Sequence, residues 1–402
     1  MKRLYEAIIK EHFAENKQML FLSGPRQVGK TTIAKNYMHS MRHAKFLNWD
    51  KLSDREQILQ GEHAVLEQLP LNVLSQQLPL IIFDEIHKYK YWRTFLKGLI
   101  DEYKGALDVI VTGSAKLNVF RRGGDSLMGR YFLFRVHPLS VGELLRVTLP
   151  KEKISEPKKI SADKFEALLE FGGFPEPFLK QDKKFYTQWQ NLREEQMLRE
   201  DIRTFSQIQE LAQLEMLAYF LKQQAGQLVE YSNLANKIRA SDPTIRRWIN
   251  LLESLFYCFT IKPWSSNLSR SLIKQPKIYL WDWSQLQDKG ARIENFLASH
   301  LLKAVHFWTD SGFGKYELFF LRDKEKHEVD FLVTENKKPW IMIEIKSSVK
   351  EGLSPSLHRF QAQLNAKHVF QVAFDAPYVD QDCFAHKGPI IVPLKTFLSQ
   401  LL

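Results

Sequence analysis

The residues Gly24-Pro25-Arg26-Gln27-Val28-Gly29-Lys30-Thr31 match G-x-x-x-x-G-K-[ST], a spacing suited to holding a triphosphate. Glycines let backbone N–H groups curl around phosphates, and the helix that follows adds the positive end of its dipole. Lys30 is expected to reach the β and γ phosphates, and the Thr31 hydroxyl to ligate Mg²⁺, with Thr32 completing the cradle. An apolar run, Met19 to Leu22, precedes the loop and a helical pattern follows it, which a chance glycine-rich turn would lack. The expected ligand is ATP with Mg²⁺.

A second apolar run, Leu80 to Phe83, ends in Asp84-Glu85. Asp84, delivered to a sheet's carboxyl edge, can hold Mg²⁺ through its water shell, and Glu85 can polarise an attacking water as general base. A third run, Val109 to Thr112, ends in Gly113-Ser114. Thr112 or Ser114 can sense the γ phosphate, or its hydroxyl can cap the next turn. Gly129-Arg130 precedes a β-like stretch, Tyr131 to Val136. Arg130 can stabilise transition-state charge from within the subunit or from a neighbour, or be a solvated surface arginine.

The carboxyl-terminal third holds a different set. Tyr316 to Arg322, a turn at Asp323 to Lys326, and Glu328 to Val333 read as a hairpin, with another strand at Trp340 to Lys346. Strand alternation puts Glu344 and Lys346 on one face, and Glu328 and Asp330 on a common side. If the strands are neighbours, Asp330 and Glu344 can ligate Mg²⁺ or Mn²⁺ while Lys346 orients or activates water. That is the logic of the PD-(D/E)xK nucleases, with Glu294, in the helical stretch Ala291 to Leu302, as the acid from an earlier helix. Gln361 is a weaker accessory. Acid–lysine pairs also decorate solvated strands, so a non-cleaving, DNA-binding version of such a fold stands beside this reading.

Between these sets, Leu228 to Tyr257 reads as helix-turn-helix. Ser232 is expected to cap a helix carrying Leu234, Ala235 and Ile238; Ala240 to Pro243 form the turn; Thr244 opens a second helix. Arg246 and Arg247 fall on its outward side, with Lys237 and Arg239 near the turn, as nucleic-acid contacts. A helical pair that only packs between domains is the plainer alternative.

These residues need scaffolds, and 402 residues allow two or three domains. Hydrophobic content of 44% and aromatic content of 12% suffice for packed cores. The expected class is α/β. Residues 1–148 are expected to form a P-loop parallel sheet with helices, and 161–262 a helical section with the helix-turn-helix. A charged, proline-bearing linker at 150–160 separates these two, and residues 263–402 are expected to form an α/β domain. The net charge of +11 fits a phosphate-rich partner, either nucleic acid or an acidic membrane face, and equally a merely soluble basic protein. Cys258 and Cys383 lie far apart, which argues against a disulfide framework or structural zinc. With no signal peptide and no apolar run long enough to span a bilayer, the expectation is a soluble, cytoplasmic protein without a membrane partner.

The segments GPRQVGKTT, IIFDEIHK, VTGSAKL, GRYFLFRVHPLSVGE and FGGFPEP resemble a group of prokaryotic AAA+-like ATPases. In these an ATPase precedes a C-terminal domain of long-unassigned function. Arg199 to Ile202, Pro276 to Asp282, Arg292 to Asn295, Glu328 to Phe331 and Ile343 to Ser348 are similar to that partner domain. His87 departs from the glutamine expected after Asp-Glu-Ile. The resemblance implies a winged-helix-like middle and a restriction-endonuclease-like fold at the end. The leading functional expectation is an ATPase that couples hydrolysis to DNA engagement or cleavage; RNA stays open beside DNA, because phosphate contacts do not separate the two. A homo-oligomer, up to a hexamer, is among the expected states. The other class considered is an ATP-dependent scaffold or nucleic-acid sensor that cuts nothing. A nucleotide kinase or small-molecule transferase shares the P-loop but is disfavoured by the helical section.

Overall fold

The computed structural model describes residues 1–71, 77–114, 127–197, 211–265 and 275–402. The motif Arg199 to Ile202 and the Ala115 to Leu117 part of VTGSAKL lie outside these residues. The chain divides into two compact units, 1–137 with 146–149, and 138–145 with 150–402.

In the first unit, helix α1 (Leu4–Glu15) precedes β1 (Met19–Ser23), α2 (Lys30–Met38), β2 (Ala44–Asn48), α3 (Leu52–Leu59) and α4 (Glu62–Leu66). Then come β3 (Leu80–Asp84), a 3₁₀ turn (Ile86–Lys88), α5 (Trp92–Tyr103), β4 (Asp108–Gly113) and β5 (Tyr131–Arg135). The strands form a parallel sheet in the order β2-β3-β4-β1-β5. Every residue of β1, β3 and β4 is buried, as continuous apolar runs require when both sheet faces are covered. One face packs Phe21, Phe83 and Val111 with Leu96 and Leu99 of α5. Register pairs Ser23 with Gly113 and Asp84 with Thr112. The ends of β1, β4 and β3 therefore lie side by side, with the glycine loop leaving the first and the acids leaving the last.

The second unit opens with α6 (Val141–Leu145), which the sequence reading had assigned to 1–148. Its contacts explain the difference. Glu143 pairs with Lys303 at 2.5 Å, both fully buried, and the Val141 N–H donates to His300. Helices α7 (Ala162–Phe171), α8 (Pro175–Lys180), α9 (Lys183–Glu195) and α10 (Leu211–Gln223) follow. Next are α11 (Tyr231–Ile238), α12 (Asp242–Ser254), β6 (Cys258–Pro263), β7 (Lys277–Leu280) and α13 (Lys289–Asp310). The last part comprises β8 (Tyr316–Arg322), β9 (Glu328–Glu335), β10 (Lys338–Lys346), α14 (Pro355–Leu364), β11 (His368–Ala373), β12 (Pro389–Pro393) and α15 (Leu394–Gln400).

A mixed sheet runs in the order β12-β11-β10-β9-β8-β6-β7. The boundary expected at 262/263 is therefore not a division between compact units. Strand β6 pairs antiparallel with β7 and parallel with β8, so the hairpin after the helix-turn-helix extends the C-terminal sheet. The helix limits also differ from the reading. Ser232 lies inside α11, which starts after Glu230, and α12 starts at Asp242 with Ser241 as its cap, accepting from the Thr244 N–H. Pro243 sits in the first turn, where its missing N–H costs nothing.

Candidate functional site

The loop after β1 is set by backbone constraints. A Cβ on Gly24 would meet the Val136 carbonyl oxygen at 2.2 Å. Gly29, the N-cap of α2, has φ of 97°, which favours glycine. Pro25 and Val28 are buried, Arg26 is half-buried and Gln27 exposed. Lys30 is buried and its ammonium donates to the Gly24 and Pro25 carbonyls at 2.9 and 2.6 Å, folded over the loop. The Thr31 hydroxyl donates to Asp84 at 3.1 Å, and Thr112 donates to the same carboxylate. Thr32 is exposed and Ser114 buried just past β4. Burial, then the neighbouring Glu85 charge, hold the Asp84 carboxyl above its usual range against the Thr112 and Thr31 bonds. A divalent cation fits here: a hydroxyl and a carboxylate already touch, and the carboxylate's charge is poorly solvated.

Glu85 adopts φ of 57°. Its buried Oε2 accepts no hydrogen bond and lies 3.5 Å from the Lys88 ammonium and 3.6 Å from His87 Nε2. His87, which stands where a glutamine is expected, is thus the neighbour of the candidate base.

Arg130 is not brought to this end of the sheet. Strand β5 runs parallel to β1 with Tyr131 beside Met19 and Arg135 beside Ser23. Arg130 thus lies at the amino end, and at ~3.3 Å per residue roughly 20 Å separate it from the loop. Its guanidinium forms a two-pronged pair with Asp101 of α5, at 2.7 and 2.9 Å. Action within its own subunit is therefore corrected, because strand direction points it the wrong way. A residue the sequence reading missed takes a place at the loop instead. Arg3 is buried and donates to the Val28 carbonyl at 2.8 Å and the His137 carbonyl at 2.7 Å. No local pattern marks it, since its partners are distant in sequence.

The second set of residues converges. One step past the paired Ile343 and Phe331, β10 and β9 part, and the Asp330 carboxylate accepts the Ile345 N–H at 2.9 Å. Glu344, 6% exposed, accepts from Lys346 at 2.8 Å, while its other oxygen, Oε2, is buried without a hydrogen-bond partner. Glu294 of α13 faces the same cluster through Lys277, a buried lysine of β7 that was not singled out. The Lys277 ammonium lies 2.6 Å from Glu328, 3.3 Å from Glu294 and 3.6 Å from Asp330. Its signal was available: a lysine opening the otherwise apolar run Lys-Ile-Tyr-Leu must find charge inside. Burial, then Glu294, push the Asp330 carboxyl up to about 7, with Lys277 opposing. The unpartnered Glu344 oxygen beside Asp330 fits a metal ligand. The Gln361 amide is turned away to the Ala366 carbonyl.

A cavity of ≈ 440 Å³ adjoins Lys277 and Glu328 and is lined also by Gln224, Gln227, Asn233 and Arg322. On the helical pair, Arg247 and Lys237 are exposed, and Arg239 ends α11 in the left-handed region with φ of 56°. Arg246 stacks over Tyr231 at 3.7 Å. Among the described residues no helix is long and apolar enough to cross a membrane.

Residues 16–145 match the AAA domain family, and 162–287 and 289–395 match two families described as domains of unknown function. An uncharacterized protein of Haemophilus influenzae is 21% identical over 393 residues, covering 90% of this chain and 94% of that one. One of Methanocaldococcus jannaschii is 23% identical over 406 residues, covering 90% and 84%. Among solved structures, a Walker-type ATPase of Pyrococcus abyssi aligns with 15% identity and a TM-score of 0.43, over 69% of this chain and 92% of that one. The Aeropyrum pernix ORC1 protein in complex with DNA aligns with 12% identity and a TM-score of 0.32, over 73% and 91%. Residues 16–145 are similar to AAA domains, and the parallel α/β sheet of the first unit with its glycine–lysine loop lies within that span.

Proposed function

We propose that the chain is an Mg²⁺-dependent ATPase that engages DNA through its second unit. The observation that carries the first half is the contact of Thr31, Asp84 and Thr112 beside the Gly24–Lys30 loop. In this reading the loop N–H groups and the start of α2 bind the phosphates. Lys30 leaves the loop carbonyls to neutralise the β and γ oxygens. Thr31 and Asp84 would hold Mg²⁺, which when bound would supply charge neutralisation on the triphosphate. Glu85 takes the proton of the attacking water, its carboxylate kept in place by Lys88 and His87. Arg130, remote from its own loop, is left with a role toward a neighbouring subunit in a homo-oligomer. Glu85→Gln should keep ATP affinity and slow turnover roughly 10²–10⁴-fold; unchanged turnover removes Glu85 from the role.

A second reading, metal-dependent cleavage of DNA, is favoured by the Glu344 oxygen that lacks a partner next to Asp330 and Lys346. Asp330 and Glu344 would hold Mg²⁺ or Mn²⁺, which lowers the pKa of a bound water. Lys346 would orient that water, and Lys237, Arg239, Arg246 and Arg247 would contact the polynucleotide. Incubation with either ion and linear, nicked or branched DNA tests it, comparing wild type with Asp330→Ala and Lys346→Ala. Wild-type cutting lost in both variants is expected. Equal DNA survival with all three proteins leaves an ATP-dependent sensor or scaffold.

A further inference from the structure

The four carboxylates of the C-terminal centre are not equivalent. Glu328 is committed on both oxygens, Oε1 to Lys277 at 2.6 Å and Oε2 to Arg322 at 2.5 Å. Glu294 Oε1 receives Lys277 at 3.3 Å and the Tyr279 hydroxyl at 2.8 Å. Asp330 and Glu344 differ: Lys277 stands 3.6 Å from Asp330, and Glu344 keeps a buried oxygen without a partner. Acids of two elements, β9 and α13, thus converge on one ammonium carried by β7, whose side chain is only 5% exposed.

We infer that the Lys277 ammonium takes the place of a second cation, so that this centre binds one divalent ion, at Asp330 and Glu344. The physical reason is charge and space. Two divalent ions clamp a phosphodiester when shared carboxylates bridge them. Here the carboxylates that would hold the second ion, Glu294 through Oε1 and Glu328 through Oε1, already face a covalently tethered cation, and Arg322 takes the other oxygen of Glu328. A tethered lysine cannot dissociate, so one of the centre's four carboxylate charges is offset before any ion arrives. Lys277 is accordingly a positioning residue: it fixes Glu294 and Glu328 and limits the number of ions.

This inference rests on reading Asp330 and Glu344 as a metal site, but its readout needs no DNA and no turnover. The test is Mn²⁺ titration of the full, nucleotide-free chain, followed by calorimetry and by the electron paramagnetic signal of free Mn²⁺. Wild type should bind one ion that Glu344→Gln loses. Lys277→Met and Lys277→Gln, checked for folding by circular dichroism, should bind a second. Any wild-type count at this centre other than one overturns the inference, even if both lysine variants fail to fold. So does a folded lysine variant that still binds one ion. If wild type binds one ion and cuts no DNA, the cleavage reading alone fails.

Discussion

Glu85 leaves β3 in a left-handed backbone conformation that costs a non-glycine residue of order 1 kcal/mol. The surrounding fold must hold it there, and the Glu85 N–H bond to the Thr112 carbonyl at 3.0 Å does part of this. Arg3 acts similarly on the loop, since one guanidinium serves two carbonyls. A lysine has no such fork. Arg3→Lys should therefore weaken ATP binding about tenfold, equivalent to ~1.4 kcal/mol. Equal affinity in a nucleotide titration would remove Arg3 from loop positioning. Arg130→Ala should leave the hydrolysis rate of dilute protein unchanged, because Asp101 holds Arg130 at the far end of the sheet. A loss seen only as protein concentration rises marks action on a neighbour; a loss at high dilution contradicts the placement. The loop itself was legible in sequence because its motif is local, a glycine at positive φ followed directly by the lysine at fixed spacing. Arg3 was not, because burial and distant partners define its role, and of Lys277 only its place in an apolar run was legible, not the acids it meets.

At the scale of elements, helix α13 carries two groups that explain why α6 joins the second unit. Lys303 is held by Glu143 and, at 2.9 Å, by the Pro138 carbonyl. With Nδ1 of His300 donating to the Phe296 carbonyl at 2.7 Å, Nε2 accepts the Val141 N–H at 3.1 Å, so the ring is neutral. Burial pushes its pKa down to about 3 from 6.5. The sign follows directly. Above pH 6.5 the ring is neutral in both folded and unfolded chains; below it, only the unfolded chain takes the proton, and stability falls until about pH 3. Between pH 7.5 and 5.5 the wild type should lose ~1.4 kcal/mol on this account that His300→Gln does not lose. Melting of both proteins at the two pH values checks it, and a constant difference between them contradicts it. Strand alternation made β9 and β10 readable, because period-two patterns are intrinsic to the backbone. The sheet order that adds β6 and β7 was not readable, since pairing across long separations leaves no local pattern.

For the whole molecule, the net charge of +11 and the basic residues of α11 and α12 fit a polyanionic partner whose affinity falls steeply with salt. If nucleotide state biases DNA engagement, the coupling must be reciprocal: a non-hydrolysable ATP analogue and a DNA duplex should alter each other's Kd by the same factor. Unequal factors would show that the binding model is wrong, and factors of one that the sites are independent. All of this presupposes the P-loop as an ATP site. The most direct measurement is equilibrium titration of MgATP into wild type and Lys30→Ala. Losing the ammonium's charge-assisted bonds to phosphate should weaken binding by ~3 kcal/mol, roughly a hundredfold. Tight binding that survives in Lys30→Ala, or no binding to the wild type, would contradict the account.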